Sequence, residues 1–137
     1  MTKHILIPVA LDHEGVVEQK LSFARKVLET GGKITLLTVL ENVPGFVAEF
    51  VTIESENHLT TKVKAGLDAL AAGAEDIDTD VILGKPGVEI SRYAGSHDVD
   101  LIIVGSHQPG VEDYFLGSTA SRVARRAPCS VTILRED

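Results

Sequence analysis

Five short stretches of the chain are almost uninterrupted apolar sequence: His4–Val9 (HILIPV), Lys33–Leu40 (KITLLTVL), Asp78–Leu83 (DTDVIL), Leu101–Val104 (LIIV) and Ser130–Leu134 (SVTIL). Each is rich in Ile, Val and Leu and is the length of a strand, which predicts strands buried on both faces. Between them apolar residues return at helical spacing. Val17, Leu21, Ala24 and Leu28 fall at i, i+4, i+7 and i+11 within Gly15–Thr30. Thr30-Gly31-Gly32 stops that helix, since glycine accepts the geometry of a C-cap. From about His58, Leu59, Val63, Leu67, Leu70 and Ala74 mark a second helix. A third follows the turn Gly84-Lys85-Pro86-Gly87 and runs through Ile90, Tyr93 and Ala94 to about His97. Ser118–Ala127 is a short fourth, and Gly105–Leu116 reads as loop. Glu41–Asn57 holds Pro44 and Gly45, then Phe46, Val47, Phe50, Val51 and Ile53, and suits either a packed loop or an extension of the next helix.

Strands that alternate with helices, and that are apolar throughout, imply a parallel sheet covered on both faces. Right-handed crossovers then give an α/β fold: an open, doubly wound, five-stranded, Rossmann-like sheet with helices on both faces. The chain shows no internal repeat, low-complexity tract or linker, so residues 1–137 are expected to form one domain.

Composition narrows the function classes. With 137 residues the chain has room for one core. Its net charge of −7 disfavours a nucleic-acid partner, whose phosphates need a basic face. No apolar run approaches the roughly 18 residues of a membrane span, and the start, Met1-Thr2-Lys3-His4-Ile5, does not read as a signal peptide. A single cysteine, Cys129, excludes an internal disulfide framework and suits a reducing cytoplasm.

In sheets of this class ligands bind beyond the carboxyl ends of the strands, where strand order reverses. The loops at those ends start at Pro8-Val9-Ala10, Val39-Leu40-Glu41, Gly84-Lys85-Pro86-Gly87 and Gly105-Ser106-His107-Gln108-Pro109-Gly110. The last leads to Gly117-Ser118-Thr119 at a helix start, where unsatisfied amides and partial positive charge suit an anion. Ser118 equally suits an N-cap and Gly117 a plain turn. There is no Walker lysine motif and no GxGxxG after the first strand. His107 is placed to meet a phosphate or simply to bond the loop backbone. His4, His13, His58 and His97 lack metal-ligand spacing and read as surface residues. Lys85 reads as an exposed lysine within reach of a phosphate. Arg122, Arg125 and Arg126 read as surface cations in the last two turns of the last helix, suited to its dipole, and Cys129 as a small buried hydrophobe. The last strand reads as an exposed sheet edge suited to pairing.

The segment GSHQPGVEDYFLGSTASRVARRAPCSVTIL (Gly105–Leu134) resembles the universal stress protein family. ILIPVALD, TLLTVLE and GKPGVEI fall where the family has its matching segments. The resemblance implies a sheet of the adenine-nucleotide-binding type (adenine nucleotide alpha hydrolase-like) in a cytoplasmic, oligomeric stress-response protein. The ATP-binding branch carries a loop of the form G-x2-G-x9-G-[ST]. Gly105 matches its first glycine and Gly117-Ser118 its last pair, while Gln108 stands at the second glycine and the loop is one residue shorter. Ala10 stands where the family carries an aspartate, and Asp12 follows two residues later.

The implied roles are these. Pro8, Val9 and Ala10 line the nucleoside, with Asp12 as the replacement carboxylate. Val39 offers backbone groups to adenine. Gly84 and Pro86 close over the ribose. Gly105, His107, Pro109, Gly110, Gly117, Ser118 and Thr119 surround the phosphates, with Mg or Mn held through phosphate oxygens. The last strand is implied to pair with a second copy, giving a dimer or tetramer, and a membrane transporter is a conceivable protein partner. Three functions stay open: an ATP-binding regulator, a slow ATPase or autokinase, and a nucleotide-free interaction module.

Overall fold

The computed structural model describes residues 2–10, 17–41, 53–106 and 116–135, apart from the side chains of 53–57. The strands are β1 (His4–Pro8), β2 (Lys33–Leu40), β3 (Ile77–Leu83), β4 (Leu101–Gly105) and β5 (Ser130–Leu134). The helices are α1 (Val17–Val27), α2 (Ile53–Ala71), α3 (Pro86–Ser96) and α4 (Ser118–Arg126). Among the described residues they alternate as the sequence predicts, with a few shifted boundaries. Helix α2 begins several residues before His58, and Pro86 and Gly87 belong to α3 rather than to the turn before it. Proline costs nothing at a first helical position, because its missing amide would have had no partner there. The N-cap of α4 is Gly117, which places Ser118 at the first helical position instead.

All five strands are parallel, in the order β3-β2-β1-β4-β5. β1 is central, pairing His4–Pro8 with Lys33–Leu37 on one side and Ile5–Leu6 with Leu101–Ile102 on the other. Strand order reverses at β1 and β4. Side chains alternate across the sheet. Ile5, Ile7, Ile34, Leu36 and Ile103 meet Val17 and Ala24 of α1 and Leu67 of α2 on one face. Leu6, Leu37, Ile102 and Val104 meet Ile90 and Ala94 of α3 and Ala120 and Val123 of α4 on the other. Truncating one of these large buried side chains to alanine costs about 2–5 kcal/mol, so either layer alone holds a sizeable share of the fold's stability. Among the described residues no helix is long and apolar enough to cross a membrane.

The amino end of the sheet is closed by a polar network. His4 is buried at 5% exposure, which corrects its reading as a surface residue. Its Nδ1 lies 3.0 Å from the His97 carbonyl and its Nε2 lies 2.8 Å from Thr35 Oγ1. A carbonyl only accepts, so Nδ1 carries the proton and the Thr35 hydroxyl donates to Nε2. The backbone amides of Lys3 and His4 both donate to Asp100 Oδ2, at 2.9 and 3.0 Å. Burial is the largest influence on His4 and holds its pKa below 6.5. The two backbone amides hold the Asp100 carboxyl below its usual range. His58 and His97 are exposed, as expected, and His13 lies outside the described residues.

Candidate functional site

The carboxyl end of the same sheet is built differently. β1 stops at Pro8, and one more ladder bond follows it, from the Val9 amide to the Leu37 carbonyl at 2.7 Å. The Val9 carbonyl accepts from Thr38 Oγ1 at 2.8 Å, and the Val9 side chain is buried in the α1/α2 layer. Val9 is therefore a fastening point, with its backbone bonded and its side chain in the core. Pro8 is half-buried and Ala10 is exposed at the strand's end.

β2 continues for three residues past its last pairing with β1. Leu37 turns its carbonyl toward β1, and residues two apart in a strand face the same way. Val39 therefore aims its amide and carbonyl at the side β1 has left. Its neighbour Leu40 faces the other way and accepts from the Gly84 amide at 2.9 Å.

Gly84 links β3 to α3 with φ +143°, a backbone region closed to residues with a side chain. A Cβ there would also lie 2.5 Å from Glu89 Cγ. Lys85 is the N-cap of α3 and makes no side-chain cap bond. The site is unusual for lysine, which has no acceptor to offer the helix amides and carries the charge the helix start disfavours. Gly105 closes β4 opposite Leu134, and Ser106 donates to the Leu134 carbonyl at 3.1 Å. At α4 the glycine N-cap has no side chain to bond the first turn. The first intrahelical bond runs from Ser121 to Gly117. The amides of Ser118, Thr119 and Ala120 thus have no carbonyl within the helix.

Between the starts of α3 and α4 lies a cleft of about 330 Å³, lined by Glu41, Lys85, Pro86, Gly87, Ser118, Thr119 and Arg122. Pro86, Ser118 and Thr119, singled out in the sequence, come together there. Pro8, Val9, Ala10, Val39, Gly84, Gly105 and Gly117 stand at the same end of the sheet without lining it. Asp12, His107, Pro109 and Gly110 lie outside the described residues. Lys85 and Arg122 form no ion pair with another described residue. Among the described lining residues two cations and two helix starts face one carboxylate, Glu41, so this lining is locally positive on a chain of net charge −7.

Arg122 and Gly87 are the residues that sequence reasoning missed. Arg122 reads there as one of three surface cations in the last two turns of α4, and its position in the helix agrees, but its stem packs against the start of α3. Only a tertiary contact between two helices could have revealed this. Among the described residues no group of three His, Cys, Asp or Glu side chains is placed to hold a metal. Cys129 is partly buried against the α3/α4 layer, and burial pushes its thiol up.

A model of the family described as the universal stress protein family matches residues 1–135. The chain belongs to the universal stress protein family. Universal stress protein G of Salmonella typhimurium is 25% identical over 98% of this chain and the whole of that protein. Among solved structures, the hypothetical protein MJ0577 is 28% identical with a TM-score of 0.79, covering 100% of this chain and 98% of that one. Universal stress protein UspA from Lactobacillus plantarum is 22% identical with a TM-score of 0.72, covering 98% of this chain and 99% of that one. A universal stress protein in complex with cAMP shares the fold at 21% identity and a TM-score of 0.60, covering 96% of this chain and 95% of that one.

Proposed function

We propose that this universal stress protein domain, spanning residues 1–137, binds ATP across the carboxyl end of its sheet and acts as a regulator. The observation that carries the reading is the cleft in which the starts of α3 and α4 converge with Lys85 and Arg122. Amides without a carbonyl within their own helix, a hydroxyl pair and two cations that form no ion pair among the described residues suit a polyphosphate. Each helix-start contact contributes roughly 0.3–2 kcal/mol, and several converge. Gly105, Gly117, Ser118 and Thr119 take the phosphates together with His107, Pro109 and Gly110. Pro8 and Ala10 wall the nucleoside, held in place by Val9, and Asp12 is the carboxylate for that end. Val39 offers its amide and carbonyl, which face the side β1 has left, to the adenine edge, and Gly84 with Pro86 closes over the ribose. Mg or Mn is carried by the phosphates and water, as magnesium commonly is.

The regulatory output is assembly or partner binding. β5 is an edge strand of the sheet, open to a twofold contact with a second copy. A ligand that prefers one assembly state shifts the population toward it. A membrane transporter is one class of partner such a cytoplasmic switch would serve. Ala10, exposed and without a carboxylate, favours the nucleotide-free module as the second reading.

Calorimetric titration with Mg–ATP, paired with thermal unfolding, tests the proposal. Saturating ATP at 100 times its Kd is expected to stabilise the fold by about 2.7 kcal/mol. No heat and no thermal shift would leave the interaction-module reading. Steady phosphate release well above that of Gly117→Val would make ATP a substrate instead of a ligand.

A further inference from the structure

Resting on the ATP reading above, we propose that Arg122 is the residue by which the cleft distinguishes nucleotides by phosphate number, and that Gly87 is the positioning residue that seats it. Ser118 and Arg122 are four residues apart in α4 and share a helix face, and both line the cleft. The arginine stem lies directly over Gly87. A Cβ at Gly87 would fall 2.7 Å from Arg122 Cδ, 3.0 Å from Cβ and 3.4 Å from Cγ. The Cδ can swing away by a rotamer change, but the Cβ moves only with α4 itself.

Gly87 has no backbone reason to be glycine. It is a helical residue, and its φ lies outside the left-handed region that favours glycine. Glycine within a helix is less stable than alanine by roughly 0.5–1 kcal/mol. What the missing side chain supplies here is room. It lets the Arg122 stem lie over the start of α3 and line the same cleft as Lys85. Among the described lining residues Glu41 is the one carboxylate beside two cations, which leaves a net positive charge for an anion. Each further phosphate adds charge to the ligand, so the contribution of Arg122 grows from AMP to ATP.

The test is titration of AMP, ADP and ATP into the wild type, Arg122→Ala, Arg122→Lys, Gly87→Ala and the double variant Gly87→Ala/Arg122→Ala, with thermal unfolding confirming that each is folded. Arg122→Ala is expected to weaken ATP about tenfold, the size of one charge-assisted hydrogen bond, and AMP less than twofold. Arg122→Lys keeps the charge and should recover part of the loss. Gly87→Ala should reproduce the Arg122→Ala profile, and the double variant should lose nothing further, because Gly87 acts only through Arg122. Equal weakening of all three nucleotides by Arg122→Ala, or an added loss in the double variant, overturns the proposal. A wild type that binds ATP beside an Arg122→Ala variant that binds it equally well overturns this inference alone. A wild type that binds none of the three overturns the ATP reading and this inference with it.

Discussion

The two ends of the sheet share the same strands and differ in almost everything else. At the amino end His4, Thr35 and Asp100 satisfy one another and the backbone around them, with every bond at 2.8–3.0 Å. At the carboxyl end both helices start without a side-chain cap, one N-cap is a lysine, and two cations stand unpaired among the described residues. Local rules obeyed at one end and broken at the other separate the part of the fold that holds it together from the part proposed to meet a ligand.

The contrast can be broken first at the closed end. Thr35→Val keeps the shape of the side chain but leaves His4 Nε2 buried without a donor. It should cost about 1–3 kcal/mol in urea unfolding while leaving ATP affinity unchanged. Lys85→Asp should act with the opposite sign at the other end. An acceptor of the right charge at the α3 N-cap should add about 1 kcal/mol of stability, and the same substitution should weaken ATP.

A pH series sharpens the comparison further. His4 is held neutral in the folded protein by burial, so the unfolded chain takes up its proton first as pH falls through 6.5. The contribution of His4 is therefore complete above 6.5 and declines below it until the folded histidine is protonated. Melting temperature should drop between pH 7 and 5, and His4→Asn should flatten that part of the curve. Asp100, whose carboxyl is also held low, adds its own loss only below about 3.8, as its pKa is passed. The smallest effect belongs to Lys33→Met. Its 3.6 Å pair with Asp78 is exposed on both sides, and its removal should change stability by less than about 1 kcal/mol.

The strands were legible because parallel strands buried on both faces leave continuous apolar runs, as in HILIPV and KITLLTVL. The start of α2 was not, because the polar residues at 54–58 carry no apolar spacing. Pro86 and Gly87 look like turn residues in sequence, and only the observed start of α3 shows that they are its first two positions. His4 looked like the polar edge of an apolar run, since nothing in a linear pattern shows Thr35 and His97 converging on its ring. At the site, the glycine and hydroxyl pattern at the start of α4 was visible in sequence. The crossing of Arg122 over Gly87 was not, because the two residues meet only when α3 and α4 pack. The assignment of ATP rested on the resemblance, and the local positive cleft is a physical reason for it that the composition of an acidic chain conceals.

The Asp100 clasp has a consequence for how the chain matures during synthesis. Its carboxylate grips the Lys3 amide across 97 residues of sequence. While a ribosome is still making β4, one flank of β1 has no neighbour. At about 5–20 residues per second that exposure lasts roughly 5–20 s. A nascent β1–β2 pair offering an apolar edge for that long is the species a chaperone would be expected to meet.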